Sequence, residues 1–419
     1  MKPSYTPPWI FGLTNLPFGV AGTYAGVAMP YLLRAAGVSV ETITALAALA
    51  FVPAAYQLFW APILDLGIRR RTWLVLCATS GSLCLGATLL VEIPAQLMAY
   101  EILLVAGQAL VGLVASCNGA LVATTVDPRL LGRAAGWVNA ANLGAAVLGG
   151  GLVLTLANRV SAPAAAVALV LAISLPSLAA LWIGEPPPQR DKLARHVART
   201  ARDVWTAVRS RRGWTGLVFC ISPVGTAALT NLFSALGNEY GVSNRVIEWV
   251  NGYAGGAVTA CGALASGYLL DRLRERRHLF LAAGLSLALC AGGMGLAPLS
   301  PATYVVGCLA YLFVAGMAFA AFSAVVYEIV RAAEGTASTL YSVYPAAGNQ
   351  AIAYTLLLDG AAQHLWGTRG LLWADAALNL GGVLALSLFL RVVLQKRTDV
   401  EPAADAPTRE ASAVEIAIR

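Results

Sequence analysis

Twelve runs of about twenty or more mostly apolar residues follow one another along this 419-residue chain. They cover roughly residues 8–33, 41–64, 73–92, 96–125, 133–157, 162–183, 214–236, 246–270, 279–298, 302–327, 336–359 and 370–393. A helix of that length crosses the hydrocarbon core of a bilayer, where helices and closed barrels alone satisfy their backbone polar groups. With 58% hydrophobic and 12% charged residues, the chain lacks the polar surface to cover a water-soluble globule. The expected fold is an all-α polytopic membrane protein of twelve transmembrane helices. Runs four, five and ten are long, so tilt or bending is expected there.

A net charge of +7 would suggest a nucleic-acid partner if it were spread over a folded surface, but its distribution excludes that reading. With a cytoplasmic N-terminus, 24 of the 28 Lys and Arg fall in cytoplasmic loops and tails, and only Arg34, Arg159, Arg245 and Arg369 fall outside. This is the positive-inside asymmetry, and it assigns both termini to the cytoplasm. The expected location is the cytoplasmic (inner) membrane, as a multi-pass monomer among lipids. The seven cysteines lie inside the runs with no Cys-x-x-Cys pair and read as packing residues. His196, His278 and His364 stand alone in loops, so neither a metal nor a cofactor is expected. The first run is not a cleavable leader, since its basic region is the single Lys2 and eleven runs follow.

The chain also repeats itself. An acidic-then-basic turn occurs as Asp65-Leu66-Gly67-Ile68-Arg69-Arg70-Arg71 and again as Asp271-Arg272-Leu273-Arg274-Glu275-Arg276-Arg277, with the aspartates 206 positions apart. A second anchor agrees: Gly132-Arg133-Ala134 follows Asp127, and Gly335-Thr336-Ala337 follows Glu328, at an offset of 203. Such offsets argue for duplication, and internal duplication in a membrane protein points to transport. The expected organisation is a six-helix bundle over 1–183, a cytoplasmic linker over 184–213, a second bundle over 214–395 and a disordered tail over 396–419. Within the linker, Leu193, Val197, Val204, Trp205 and Val208 recur near helical spacing with arginines on other faces. That pattern fits a helix lying on the inner leaflet, and equally a solvated tether.

Twelve runs, a six-plus-six division and the turn after runs two and eight resemble the major facilitator superfamily over essentially residues 8–395. The superfamily turn is roughly Gly-x-x-x-Asp-Arg-x-Gly-Arg-Arg. Gly267, Asp271, Arg272 and Arg276 match it in the second copy. Asp65, Arg69 and Arg70 match in the first, where Gly67 is displaced and Leu66 replaces a basic residue. Trp60-Ala61-Pro62 before Asp65, with Arg69 through Trp73 after it, looks like the branch of muropeptide permeases and related acetyl-CoA and siderophore-uptake carriers. Where that branch often carries Gln-Asp late in span four, this chain has Cys117-Asn118-Gly119 and lacks the carboxylate. The resemblance implies two six-helix bundles related by pseudo-symmetry, with spans two and eleven, and five and eight, facing across the halves.

On that arrangement Asp65 can sit against the amide end of span eleven, and Asp271 against the start of span five near Gly132. Arg69, Arg70, Arg133, Arg272 and Arg276 are the cations available to such a latch, with Asp127 and Glu328 as further acidic partners. Each contact would be worth about 1 to 2 kcal/mol, enough to bias a conformational equilibrium without freezing it. Gly132, Gly136, Gly144 and Gly149–Gly151 in span five, with Gly252 and Gly256 in span eight, suit close approach of helices.

The resemblance also implies a cavity lined by spans 1, 2, 4, 5, 7, 8, 10 and 11. Polar residues in those spans are its candidates, because polar side chains in hydrocarbon are costly unless paired or wetted. They are Asn15, Tyr24, Gln57, Gln108, Asn118, Asn139, Asn142, Thr230, Asn231, Asn251, Tyr253, Tyr311, Tyr341, Tyr344, Asn349 and Gln350. The set describes a neutral, amphipathic cavity of amide and phenol donors. Glu101 and Asp375 are the candidate proton sites, although Glu101 lies near the outer end of its run, where a headgroup-level role also fits. Asp359, Glu239 and Glu248 are expected at the outer rim.

The expected function is secondary active transport of a small organic solute by alternating access, as proton-coupled uptake, with export of amphipathic compounds as the alternative. A membrane enzyme would need a nucleophile with a base or a metal cluster. The sequence has no Gly-x-Ser-x-Gly, His-x-x-x-His or Gly-x-x-x-x-Gly-Lys motif, so no catalytic residue and no nucleotide drive is expected. A receptor would call for a large extra domain.

Overall fold

The computed structural model describes residues 5–65, 67–93, 95–185, 202, 204–331 and 337–398. Most of the linker, the tail from 399, Leu66 of the first turn and the Gly335-Thr336 anchor lie outside the described residues. Every regular element among those described is a helix. They run in the order of the twelve expected spans. In the first half these are α1 (Pro8–Ala35), α2 (Val40–Tyr56), α3 (Arg70–Thr88), α4 (Leu97–Thr125), α5 (Pro128–Arg159) and α6 (Ala162–Trp182). In the second, α7 spans 211–240, α8 spans 244–270, α9 is Arg277–Leu296 and α10 is Pro301–Arg331. A last helical stretch, Ala337–Thr398, is divided into α11 and α12 at Gly367, whose φ of 66° and ψ of −166° interrupt it.

Seven of the helical stretches are long and apolar enough to cross a membrane by composition alone, the last of them covering α11 and α12 together. The others depart for local reasons. α2 passes from Tyr56 into tight turns at Gln57–Phe59 and Ala61–Asp65, which carry the first acidic turn toward α3. α3 opens on Arg70 and Arg71, which dilute its apolar character.

The clearest difference from the sequence expectation is α7. Its first part, Arg211–Ile221, ends at Ser222, and the chain resumes as short turns from Ala228–Asn231 to Gly237–Tyr240. Pro223 has no amide to donate, Gly225 takes φ 69° and Ala227 takes φ 49°, the latter unusual for a residue with a Cβ. The amide of Gly225 is held by Asn379 Oδ1 of α12 at 3.1 Å. Helix α5, one of the long runs, carries a π-helical turn at Val147–Leu152, and α1 and α8 carry similar turns at Tyr24–Ala28 and Trp249–Ala254. Such turns widen the helix locally and change its direction.

Two apolar clusters form the interior. The larger runs through the first half and takes in Leu270, Tyr327, Val330, Ala337, Leu340 and Tyr344 from the second. The smaller lies within the second half around Phe233, Tyr304 and Tyr311. The halves therefore share a core at the end that bears the two basic turns. Phe59, Met98 and Leu296 are each more than 70% exposed, which suits side chains facing lipid.

Residues 204–209 of the linker are helical. Val204 and Val208 pack inward, whereas Trp205 is exposed with Arg209 stacked on its ring at 4.7 Å.

Candidate functional site

Each acidic turn reaches the other half of the molecule. Asp65 is fully buried at the start of α11, where its Oδ1 accepts from the Ser338 amide at 3.4 Å and its Oδ2 from the Thr339 amide at 3.2 Å. The Thr339 hydroxyl donates to Oδ2 at 2.9 Å and Arg70 Nε to Oδ1 at 3.0 Å. Four donors thus converge on one carboxylate at a helix N-terminus, where unpaired amides and the helix dipole favour an anion.

Asp271 occupies the corresponding place at the start of α5. Its Oδ1 accepts from the amides of Gly132 at 2.9 Å and Arg133 at 3.3 Å. Its Oδ2 faces Arg133 Nε at 3.0 Å, an ion pair without hydrogen-bond alignment, and that guanidinium side chain is 43% exposed. Burial pushes the Asp271 carboxyl above its ordinary range, only partly offset by the Arg133 and Gly132 amides and the neighbouring guanidinium groups.

Two further contacts cross between the halves at the same end. Arg276 donates to Glu328 of α10 and, at 2.6 Å, to the carbonyl of Pro128 in the first half. Arg331, at the end of α10, donates to the carbonyls of Ala123 at 3.2 Å and Val126 at 2.8 Å, capping the C-terminus of α4 with a cation. Arg331 was not singled out from sequence. A basic residue closing a run was visible, but the helix whose carbonyls it covers belongs to the other half. The sequence marks Arg71 only as part of the first turn and does not single out Glu185. Glu185 accepts from the amides of Arg70 and Arg71, each at 3.1 Å, while Arg71 caps α6 through the carbonyls of Leu181 and Ile183. Burial raises the Glu185 carboxyl, with the two amides and arginines opposing it.

The remaining latch candidates lie elsewhere. Asp127 accepts from the Arg129 amide at 2.8 Å and caps its own short turn rather than pairing with an arginine of the second half. Arg272 is exposed, and Arg69 is the residue before α3. Arg277 pairs with Glu275 of its own loop at 2.6 Å.

Glycines set how near the helices come. A Cβ added at Gly132 would lie 2.6 Å from both Asp271 Oδ1 and Leu270 Cβ, and one at Gly267 would lie 2.8 Å from the Gly132 carbonyl. Further along, Gly136 meets Ala263, and Gly256 still approaches the Leu143 carbonyl, whereas Gly144 and Gly252 have open space around them. The π-helical turns of α5 and α8 begin just beyond. Contact between α5 and α8 is therefore tight at the basic end and relaxes away from it.

Between the halves lies a cavity of about 230 Å³. Gln57, Asn139, Asn142, Tyr341 and Asn349 of the sequence candidates line it, together with Phe18, Phe319, Phe322, Ser323 and the α7 break at Ser222–Thr226. Asn139 Nδ2 donates to Ser323 Oγ across the halves at 2.9 Å. No charged side chain is among the described residues that line it. Toward the basic end Tyr341 stacks on Tyr327, with ring centroids 5.8 Å apart, and its ring fills the space a side chain at Gly119 would need. Beside it Ser116 and Ser342 share a buried hydrogen bond of 2.8 Å. The cavity is floored by packed side chains on that side.

Several candidates serve packing instead. Asn118 bonds Thr14, the Phe11 carbonyl and Asn15, and Asn15 bonds the Val138 carbonyl, so this pair ties α1, α4 and α5 together. Tyr24 bonds Thr88, and Gln108 holds the Ala21 carbonyl at 3.0 Å. Asn251 bonds Tyr304, Tyr344 is buried beside Gly213, and Thr230 and Asn231 cap local turns. Tyr253 and Gln350 are exposed outside the cavity lining. Glu101, five residues into α4, is half-buried and also outside it. Tyr311 donates to Asp375 inside the second half. Asp359, expected at the outer rim, is fully buried, because the face of α11 that carries it turns inward.

The family profile of the Major Facilitator Superfamily matches residues 11–351. The chain belongs to the major facilitator superfamily. The fold agrees with solved members of similar shape. The human organic anion transporter MFSD10 (TETRAN) is 16% identical over 91% of this chain and 100% of its own, with a TM-score of 0.69. The proton:xylose symporter XylE, bound to 6-bromo-6-deoxy-D-glucose, is 12% identical over 91% and 95%, with a TM-score of 0.65. FucP in the outward conformation is 13% identical over 91% and 99%, with a TM-score of 0.66. At these identities the likeness speaks for the fold alone. No curated protein matches the chain by sequence. As a major facilitator protein, the chain is a membrane transporter of small solutes rather than an enzyme.

Proposed function

We propose that this protein carries a neutral, amphipathic organic solute across the cytoplasmic membrane by rocker-switch alternating access, as proton-coupled uptake. The observation that carries the reading is the pairing of a floored, uncharged cavity between the halves with two aspartate contacts at one end. In this state the basic, cytoplasmic end is held shut by Asp65 on α11 and Asp271 on α5, and the cavity faces outward. Solute binding draws the outer ends together, the aspartate contacts part, and the solute leaves on the cytoplasmic side. Amide and hydroxyl groups of Asn139, Asn142, Asn349, Gln57 and Tyr341 supply hydrogen bonds, and Phe18, Phe319 and Phe322 supply apolar faces. A strongly anionic solute would meet no countercharge there. XylE and FucP are named as proton symporters of sugars, which supports proton coupling and a polyol-like, uncharged cargo. The branch of acetyl-CoA, siderophore and muropeptide carriers rests on the sequence signature of Trp60-Ala61-Pro62 with Arg69 through Trp73 alone.

Reconstitution in liposomes with imposed pH gradients tests the reading on a panel of labelled neutral solutes. Accumulation driven by an acidic exterior supports uptake by symport. Acceleration by the opposite gradient would reassign the protein to export of amphipathic compounds, and indifference to both would remove the proton from the mechanism.

A further inference from the structure

The second half contains a pair of carboxyl groups that the latch and the cavity lining do not use. Asp359 on α11 and Asp375 on α12 are both fully buried and close enough for their charges to act on each other. Asp375 accepts the Tyr311 hydroxyl through both oxygens, at 3.1 and 2.9 Å. Among the described residues, both oxygens of Asp359 are buried without a hydrogen-bond partner, and so is the hydroxyl of Thr355 one turn earlier on the same helix. The titratable groups facing the pair are Tyr311 from α10 and, beside that phenol, Cys290 from α9. From α7 come the Phe233 ring, edge-on to Tyr311, and the Gly225 amide, through Asn379. No Lys, Arg or His among the described residues forms an ion pair with either aspartate.

Two buried carboxylates without a cation cannot both stay ionised, because each unpaired charge in a low-dielectric interior costs several kcal/mol. A proton is the cheapest neutralising partner, and a protonated acid at Asp359 presents an O–H to its otherwise unsatisfied surroundings. We infer that Asp359 and Asp375 form a proton-binding site inside the second half, connected to the solute cavity through Asn379. The connection is short. Asn379 lies one turn beyond Asp375, donates to its carbonyl at 3.1 Å, and with its own oxygen holds the Gly225 amide at the break in α7. Gly225 lines the cavity. Gain or loss of a proton at the pair therefore acts on the helix that fixes Asn379, and through it on the shape of the break. This deepens the proton-coupled reading above and rests on it for the word coupling, but the site itself is testable without any solute.

The test is an infrared pH titration of the purified full-length protein in lipid, following the carbonyl stretch of protonated carboxyl groups, which shifts in deuterated water. Wild type should show a band that persists above the ordinary carboxylate range and is lost at alkaline pH. Asp359→Asn should remove that band, Asp375→Asn should remove or displace it, and Glu101→Gln should leave it in place. Persistence of the band in both aspartate variants overturns the site. If Asp375→Asn fails to fold, Asp359→Asn decides alone, since that side chain gives up no hydrogen bond. Sodium abolishing the band in wild type would also overturn the inference, by making the pair a cation site. A titrating band in a protein whose solute uptake ignores pH gradients would sink the coupling and leave the site standing.

Discussion

The two acidic turns repeat one motif, yet they grip the opposite half by different means. At the first, both oxygens of Asp65 receive donors: Ser338 and Arg70 on one, the amide and hydroxyl of Thr339 on the other. At the second, one oxygen of Asp271 receives both amides and the other faces only a half-exposed guanidinium. The second contact compensates through backbone proximity, with Gly132 against Gly267 and Leu270. The repeat thus places a like contact in both halves, while the balance between polar capture and close packing differs between them.

The comparison can be broken most severely at the second turn by bulk. Gly132→Val places carbon atoms where Asp271 Oδ1, Leu270 Cβ and the Gly267 carbonyl already lie. It should cost the shut state about 3 kcal/mol, at the upper end for overpacking. Spin labels at Val160 and Arg245, near the outer ends of α5 and α8, should then report a shift toward short distances as the basic end opens. At the first turn, Asp65→Asn should cost about 2 kcal/mol, because either amide orientation turns an NH2 group toward existing donors. The same labels should show an equilibrium displaced about thirtyfold by that figure.

A smaller effect is expected from Asp271→Asn, about 1 kcal/mol, since the amide oxygen can keep the Gly132 and Arg133 amides while NH2 takes the place facing the guanidinium. Equal effects of the two asparagine variants would show that the asymmetry has no energetic weight. The smallest effect is on pH. The Asp271 carboxyl is raised in the shut state by burial and returns to its ordinary value when the contact opens to water. The shut state therefore holds the proton more tightly. Its stabilisation is fully present below the ordinary carboxylate range and fades as pH rises through the raised value. Acidification should favour the shut basic end, and Asp271→Asn should remove that part of the titration, measured as label distance against pH.

Much of this was legible in the sequence. The twelve helices follow from apolar runs, and the partners of Asp65 and Asp271 follow from the family resemblance, which sets span two against eleven and five against eight, once helix ends are known to attract anions. What the sequence concealed depends on rotation about helix axes. Asn15 and Asn118 carry the same chemistry as Asn139 and Asn142, but the first pair turns toward neighbouring helices and the second toward the cavity. Asp359 sits near the end of an apolar run and reads as a rim residue, although its face of α11 is enclosed. The α7 break was written in Ser222-Pro223 and Gly225, yet proline and glycine are common enough in spanning helices to carry little weight alone. Arg331 shows the limit most plainly, because its partners are main-chain carbonyls and leave no trace in side-chain identity.

The contact of α5 with α8 has a kinetic consequence. Where Gly132, Gly136 and Gly267 meet, main chain lies against main chain across the seam. Such a joint works as a smooth bearing: parting it requires little unthreading of rotamers and strips few dispersion contacts at once. In the proposed rocking of the halves, the barrier to switching would fall to the few hydrogen bonds at Asp65, Asp271, Arg276 and Arg331. Turnover in this protein should be governed by those few bonds, with the glycine seam fixing the path along which the halves move.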